Sequence, residues 1–317
     1  VSRSDIPDRA ALVAHARESI ARGSKSFAMA SKLFDPVTRE RAWLLYAWCR
    51  KCDDIADGQD HGGTLAGVTD GPARLADMRA RTDAALRGEL TGDPAFDGFG
   101  LVMRECAIPS RYAHDLIDGF ALDAAEWRPK SEDDLLRYCY HVAGAVGCMM
   151  AVLMGVDPAD EATLDRACDL GLAFQLANIA RDVGEDAAAG RCYLPADWLA
   201  ESRLTPATLM TVEARPRLTV LGRRLANMAA AYEESARHGT GALPARAAWA
   251  VLAAAGIYGD IAREVARRGG AAWDDRVVTP KSEKLGWVAK AAAQLVGRHH
   301  RWPATAPRSA TLWVRPR

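Results

Sequence analysis

The sequence predicts an all-α protein built as a single domain. Strand signals are nearly absent: Val, Ile and Thr rarely alternate with polar residues, and no Asn-Gly hairpin turn occurs. Ala and Leu are abundant, and apolar residues recur every three and four positions. No linker interrupts the 317 residues, although that length usually accommodates about two domains.

In chain order, helices are predicted over 9–22, 36–56, 71–87, 94–106, 110–123, 131–154, 161–184, 216–237, 244–267 and 280–297. The breaks carry turn chemistry. "DGQDHGGTLAGVTDG" (57–71) is a Gly/Asp-rich loop, "SED" at 131–133 can cap the helix it opens, and "AAAGRCYLP" (187–195) ends a helix and turns. The domain is expected to span 1–297, followed by an irregular, Pro-rich, basic tail over 298–317. The longest uncharged stretch, 138–156, has 19 residues, close to the ~20 that a membrane span needs. Its amphipathic neighbours make it a buried helix instead.

Composition narrows the function classes. Lys+Arg and Asp+Glu both number 41, so the net charge is zero, and no basic, aromatic-interleaved patch argues for nucleic acid. The seven cysteines are scattered and odd in number, which fits buried thiols in a reducing, cytoplasmic setting rather than a disulfide framework. Cys49 and Cys52 form a C-x-x-C, but zinc would need a second close pair and redox chemistry a preceding strand. They are read as packing. The first eight residues are polar and show no signal-peptide pattern.

Chemistry concentrates in two stripes. Tyr46, Arg50, Asp53 and Asp57 follow i, i+4, i+7, i+11 spacing and share one helix face. Around them stand Trp43, Leu44, Leu45, Ala47, Trp48 and Cys49, so this helix is buried and its polar stripe faces an internal cavity. Gln175, Asn178, Asp182 and Asp186 form a second stripe, on a segment otherwise filled by Leu170, Leu172, Phe174, Leu176, Ile179 and Val183. An uncompensated buried carboxylate costs several kcal/mol, so such acids are usually paired with cations or bound to metal. Oxygen ligands without a Cys/His cluster point to Mg²⁺, with Mn²⁺ as the alternative. Mg²⁺ commonly joins one or two carboxylates to substrate phosphates. Arg50, Arg181, Arg191, Arg276 and Lys281 supply nearby positive charge, and Arg suits bidentate phosphate contact.

These residues resemble the squalene/phytoene synthase family over nearly the whole chain. "GSKSFAMASKLF" (23–34), "YAWCRKCDDIAD" (46–57), "LRYCYHVAGAVGCMM" (136–150), "LGLAFQLANIARDVGEDAAAGRCYLP" (170–195) and "EKL" (283–285) stand in the expected order. Within the family the chain is most similar to the bacterial phytoene synthases of carotenoid pathways. The resemblance implies an all-α bundle around a central cavity, the class I isoprenoid synthase fold. It implies Mg²⁺-dependent head-to-head joining of two geranylgeranyl diphosphates through a cyclopropyl diphosphate to phytoene.

It implies Asp53 and Asp57, with Asn178, Asp182 and Asp186, as metal ligands. Tyr46, Arg50, Gln175, Arg191 and Arg276 would contact diphosphate or its water, and Ser24 and Phe27 would belong to a flap over it. Tyr138, Tyr193 and Tyr258 would line the cavity near the reacting carbons. The chain departs from the family at Gly259, where Arg often follows the tyrosine, leaving that cationic position empty. Alternatives are a dehydrosqualene or squalene synthase using farnesyl diphosphate, a class I terpene cyclase, and a non-catalytic helical scaffold. Against the cyclase stands Asp182, where such enzymes usually carry Ser or Thr. Against the scaffold stands the full set of carboxylates.

Three further expectations follow. No Gly-rich strand-to-helix turn is present for a nicotinamide cofactor, so no NADPH is expected. After Glu283 the chain carries no acid, while Lys284, Lys290, Arg298, Arg301, Arg308, Arg315 and Arg317 lie among Trp287, Trp302 and Trp313. That combination suits an anionic lipid surface, a peripheral contact at the inner face of the plasma membrane beside other carotenoid-pathway enzymes. Finally, Ala143, Gly147, Ala151 and Gly155 recur every four residues. Such a stripe serves close helix packing or leaves room for a ligand, and Gly147 is expected to wall the prenyl tunnel.

Overall fold

Side-chain caps set several helix starts. Asp8 accepts from the Ala10 amide to open α1 (Arg9–Gly23), and Ser24 accepts from Phe27 to open α2 (Lys25–Ala30). Asp35 accepts from Val37 and Thr38, both at 3.0 Å, at the head of α3 (Pro36–Asp57). α4 (Gly71–Leu86) and α5 (Pro94–Cys106) follow, the latter capped by Asp93 with a proline in its first turn. After α6 (Arg111–Ala124), Ser131 and Asp134 form a capping box on α7 (Glu132–Cys139). A π-helical turn, Tyr140–Gly144, leads into α8 (Ala145–Leu153). Asp160 caps α9 (Glu161–Ala188); α10 (Ala196–Glu201), α11 (Arg215–His238), α12 (Ala245–Arg268) and α13 (Lys281–Arg301) complete the chain.

This computed structural model describes residues 8–57 and 71–317, and no strand occurs among them. The all-α reading holds. Residues 58–70 of the predicted 57–71 loop, Asp60 among them, and the polar N-terminal seven residues lie outside the described residues. The short helices α2 and α10 are not legible from periodicity, because six residues span fewer than two turns. The 131–154 segment is interrupted by the π turn, and α9 runs past the predicted 184 to Ala188, which places Asp186 on the same helix as Asp182.

The bundle is organised around α9, which packs against α8, α11 and α12. Leu172, Leu176, Ala177 and Ala180 bury its apolar faces. α8 and α9 meet at backbone distance: a Cβ on Gly147 would strike the Ala167 carbonyl, and one on Gly171 the Ala143 carbonyl. Gly147 is therefore a helix contact. It touches the central cavity with its backbone alone, and a side chain there would drive into α9 rather than into a tunnel. Glu132–Leu153 is long and apolar enough to cross a membrane, yet 61% of that window is buried in the protein, as expected of a core helix.

The C-terminal residues depart from the expected tail. α13 runs through Arg301, so the 297/298 boundary falls inside a helix. Beyond it the chain is irregular but docked. Trp302 is buried and donates to Glu234 at 2.8 Å. Arg308 pairs with the fully buried Asp169 at 2.6 Å. Arg315 and Arg317 pair with Glu161 and Asp165 on α9. Trp313 donates to Asp133 at 2.8 Å. These basic side chains pair with acids of the body. Because Gly147 has no room for a methyl, Gly147→Ala should lose about 1–3 kcal/mol of stability, read in a denaturant melt. An unchanged midpoint would show that α8 and α9 can separate freely.

Candidate active site

A cavity of about 410 Å³ lies between α3, α8, α9 and α12, within the range of about 300–1,000 Å³ common for small-molecule sites. Its lining is overwhelmingly aliphatic and aromatic. Polar groups gather at one end, where Ser24, Tyr46, Gln175, Asn178 and Tyr258 meet. Gly23 sets part of this geometry, since a Cβ there would collide with the Tyr46 hydroxyl. Phe27 tilts over Tyr46 with ring centroids 5.6 Å apart, and Tyr258 stacks on Phe174 at 4.2 Å. The Ser24 hydroxyl bonds to Tyr258, joining the flap to α12. Burial pushes the Tyr46 phenol up to about 12, so it remains a neutral donor.

The first acidic stripe is compensated from within. Arg50 reaches Asp53 at 3.0 Å and Asp54 at 2.6 Å. Asp54 is buried, and Arg50 holds both carboxylates one turn on. The Asp57 side chain lies outside the described residues. On the second stripe, Arg181 binds Asp182 through two hydrogen bonds of 2.6 and 2.5 Å. Arg276 adds a contact to Asp182 at 3.2 Å and one to Glu185 at 2.8 Å. Asn178 and Gln175 face each other at 3.5 Å. Asp186 is different. Burial first, and the Asp182 charge second, push its carboxyl up to about 7, against the opposing charge of Arg191.

A third group emerges only in three dimensions. Asp123, at the end of α6, accepts from Tyr138 at 3.1 Å and from Tyr193 at 2.9 Å. The two rings stack at 4.9 Å, and Trp127 continues the stack at 5.9 Å. Burial, then Asp123, hold the Tyr138 hydroxyl well above its ordinary range, so it stays protonated and donating. The Asp123 charge is also felt by Asp186, which places this trio beside the second stripe. Tyr138 and Tyr193 are not among the residues lining the apolar cavity, contrary to expectation, because their hydroxyls turn toward Asp123. Asp123 stands in "GFALDAAEW", where no polar stripe on an apolar helix marks it.

Two other expectations change. Next to Tyr258, the position opened by Gly259 is filled: a Cβ there would meet Glu233 and the Arg263 guanidinium. Arg263, one turn on, binds Glu233 and Asp260 at 2.9 Å each, so a cation stands beside Gly259 after all. Lys281 is exposed at the first residue of α13 and lines no part of the cavity.

The donor set suits a hard dication. Asp53, Asn178, Asp182 and Asp186 offer oxygen ligands, and the raised Asp186 carboxyl marks a site short of positive charge. Among the described residues, Asp115, Asp118 and His141 bring three carboxylate or imidazole ligand atoms within 4.8 Å of one another, and none of the three lines the cavity. The acids of the two stripes instead stand on two separate helices. That is the arrangement suited to Mg²⁺ completed by substrate oxygens.

A helical bundle with an apolar cavity, its mouth set with acid and arginine stripes on buried helices, defines an isoprenoid synthase of class I. The model of the squalene/phytoene synthase family matches residues 20–283, and the chain belongs to that family. It is 48% identical to a phytoene synthase of Pseudescherichia vulneris over 96% of this chain and 98% of that one. It is 49% identical to a 15-cis-phytoene synthase of Enterobacter agglomerans, covering 93% and 99%. The crystal structure of a dehydrosqualene synthase in complex with ligand superposes with a TM-score of 0.82 at 26% identity, over 91% of this chain and 98% of that one.

The site's two kinds of acid can be separated by experiment. Asp182→Asn should abolish most turnover, because an amide keeps the shape but not the charge. Asp123→Asn should cost about 10–100-fold in kcat/KM, the scale for a group that orients others. Both should keep the wild-type circular dichroism. Wild-type turnover in either variant at saturating metal would remove that acid from the site.

Proposed function

We propose that the protein is a 15-cis-phytoene synthase type of prenyltransferase that joins two geranylgeranyl diphosphates head to head and releases both diphosphates. The observation that carries this reading is the polarity of the cavity. One end is set with tyrosines and amides beside the acidic stripes, and the walls beyond it are mostly aliphatic and aromatic, with Thr163, Arg166 and Thr240 as the polar exceptions at the far end. Such a site takes a molecule with a polyanionic head and a long apolar tail. The near full-length similarity to phytoene synthases supports the C20 tail.

Mg²⁺, with Mn²⁺ as a substitute, is proposed to be held by Asp53, Asp57, Asn178, Asp182 and Asp186, and would stabilise charge on the departing diphosphate. The chain's own groups act around it. Arg50, Arg181, Arg191 and Arg276 compensate the acids and are placed to share the diphosphate's charge. Gln175 and Tyr46 stand at the same mouth, where Ser24 and Phe27 cover it. After the first allylic C–O bond breaks, the double bond of the second substrate attacks the allylic cation. Proton loss then closes a cyclopropyl diphosphate. A second ionisation, rearrangement and proton loss give the hydrocarbon. Carbon, charge and electrons balance without a reductant, so no NADPH enters. Phe174 and Tyr258 and the aliphatic walls exclude the water that would quench the cation.

One observation favours a second reading. The dehydrosqualene synthase fold match admits farnesyl diphosphate and a C30 product in the same kind of cavity. Incubation with C15 or C20 prenyl diphosphate and Mg²⁺, without NADPH, followed by mass spectrometry, separates the two. A C40 hydrocarbon with a conjugated triene at its centre is expected from the C20 substrate. A C30 product alone would move the assignment to the shorter chain, and a strict NADPH requirement would move it to the reductive branch.

We also place the membrane contact, and with it access to other carotenoid-pathway enzymes, on α13 instead of the docked tail. Leu285 and Val296 are 62% and 89% exposed there, among Lys290, Arg298 and Arg301. Apolar side chains amid basic ones suit an anionic leaflet. Leu285→Asp with Val296→Asp should reduce co-sedimentation with phosphatidylserine vesicles several-fold. Unchanged sedimentation removes α13 from this role.

A further inference from the structure

The cavity has a direction. Its α9 lining starts at Asn178 and Gln175, beside the acidic stripe, and ends at Arg166 and Thr163. The fifteen residue steps from Thr163 to Asn178 correspond to about 22 Å at 1.5 Å per step. The other walls run the same way. The π turn and α8 carry the lining from Val142 to Met154 just past the helix end, and α12 from Tyr258 back to Ala250. The end of α11 and the turn after it, with Ala236, Gly239 and Thr240, line only the far end.

One charged residue lines this cavity, and it sits at that far end. Arg166 is 7% exposed. Its stem is pressed against Gly239, where an added Cβ would lie 2.7 Å from the Arg166 Cβ. Its guanidinium turns away from the cavity chain path and is held from behind. It donates to the Ser235 hydroxyl at 2.6 Å and to the Ala306 carbonyl of the C-terminal segment at 2.8 Å. Ser235 donates in turn to Asp169 at 2.5 Å, and Arg308 of the same segment grips Asp169 at 2.9 and 2.6 Å. Asp169 is completely buried. Burial disfavours the Arg166 charge, and this network is what retains it.

We infer that Arg166, braced by Ser235 and by the C-terminal segment at Ala306, is the end wall of the prenyl tunnel and sets the longest chain the enzyme accepts. The inference rests on the proposed function, in that the diphosphate lies at the Asn178 end and the tail points toward Thr163. It assigns to the C-terminal segment a role in specificity: its carbonyl at 306 fixes the side chain that stops the tail. Arg166 touches no reacting atom; it sets length.

Filling and opening the same end give opposite signatures. Thr163→Leu adds volume in front of Arg166. It should lower the C20:C15 ratio of kcat/KM by about tenfold, the scale of steric discrimination for small changes in an apolar pocket. Thr163→Val, close to threonine in volume, should leave the ratio unchanged. Arg166→Ala lengthens the tunnel, while Asp169 keeps Arg308 and Ser235 as partners. It should raise kcat/KM for a C25 prenyl diphosphate about tenfold, with C15 turnover near wild type. Thermal melts accompany each variant. If the wild type turns over C15 and C20 substrates but folded Thr163→Leu keeps their ratio, and folded Arg166→Ala gains nothing with C25, the end wall lies elsewhere and only this inference falls. If the wild type turns over neither substrate, the proposed function falls and takes the end wall with it.

Discussion

The structure depends on burying carboxylates beside a hydrocarbon cavity. Removing an ion from water costs several kcal/mol unless it is paired, and α3 and α9 each carry acids on otherwise apolar helices. The chain answers mainly with arginine. Arg50 spans Asp53 and Asp54; Arg181 and Arg276 converge on Asp182; Arg308 holds Asp169. Arginine suits this because its planar fork can serve two oxygens and it stays charged when buried. Asp186 is raised by burial first and by the Asp182 charge second, with Arg191 opposing. A dication there would favour the charged carboxylate.

α9 carries two different jobs along 28 residues. Its C-terminal half presents the polar stripe to the mouth, and its N-terminal half meets Arg308, Arg315 and Arg317 from the chain's end. Between them, Gly171 and the facing Gly147 let α8 and α9 close to backbone contact. This close seam leaves the cavity walls to larger side chains such as Phe174 and Met150. Helix register, cavity shape and stripe position are thereby linked: a shift of α9 along its axis would move the acids and the far end together.

Tyrosines illustrate how location changes meaning. Tyr46 and Tyr258 stand at the cavity mouth with Phe27 and Phe174. Tyr138 and Tyr193, equally prominent in the sequence, instead donate to Asp123 and stack with Trp127. Their burial keeps the phenols protonated, so they act as fixed donors around one carboxylate next to Asp186.

Local periodicity determined much of this from the sequence alone. The 3.6-residue repeat made the chain all-α and put Asp53 with Arg50, and Asp182 with Asn178, on single faces, because those relations lie within one helix. Relations between distant segments had no such signal. Asp123 reaches Tyr193 across 70 positions, and Arg308 reaches Asp169 across 139. Composition after Glu283 read as a basic tail, but the acids that neutralise it belong to α9. Gly147 fits both a cavity wall and a helix seam in the sequence, and the fold gives it both, its backbone lining the cavity and its missing side chain leaving room for the Ala167 carbonyl. Only packing decides such cases, since a charge or a missing side chain takes its role from whatever the fold brings opposite it.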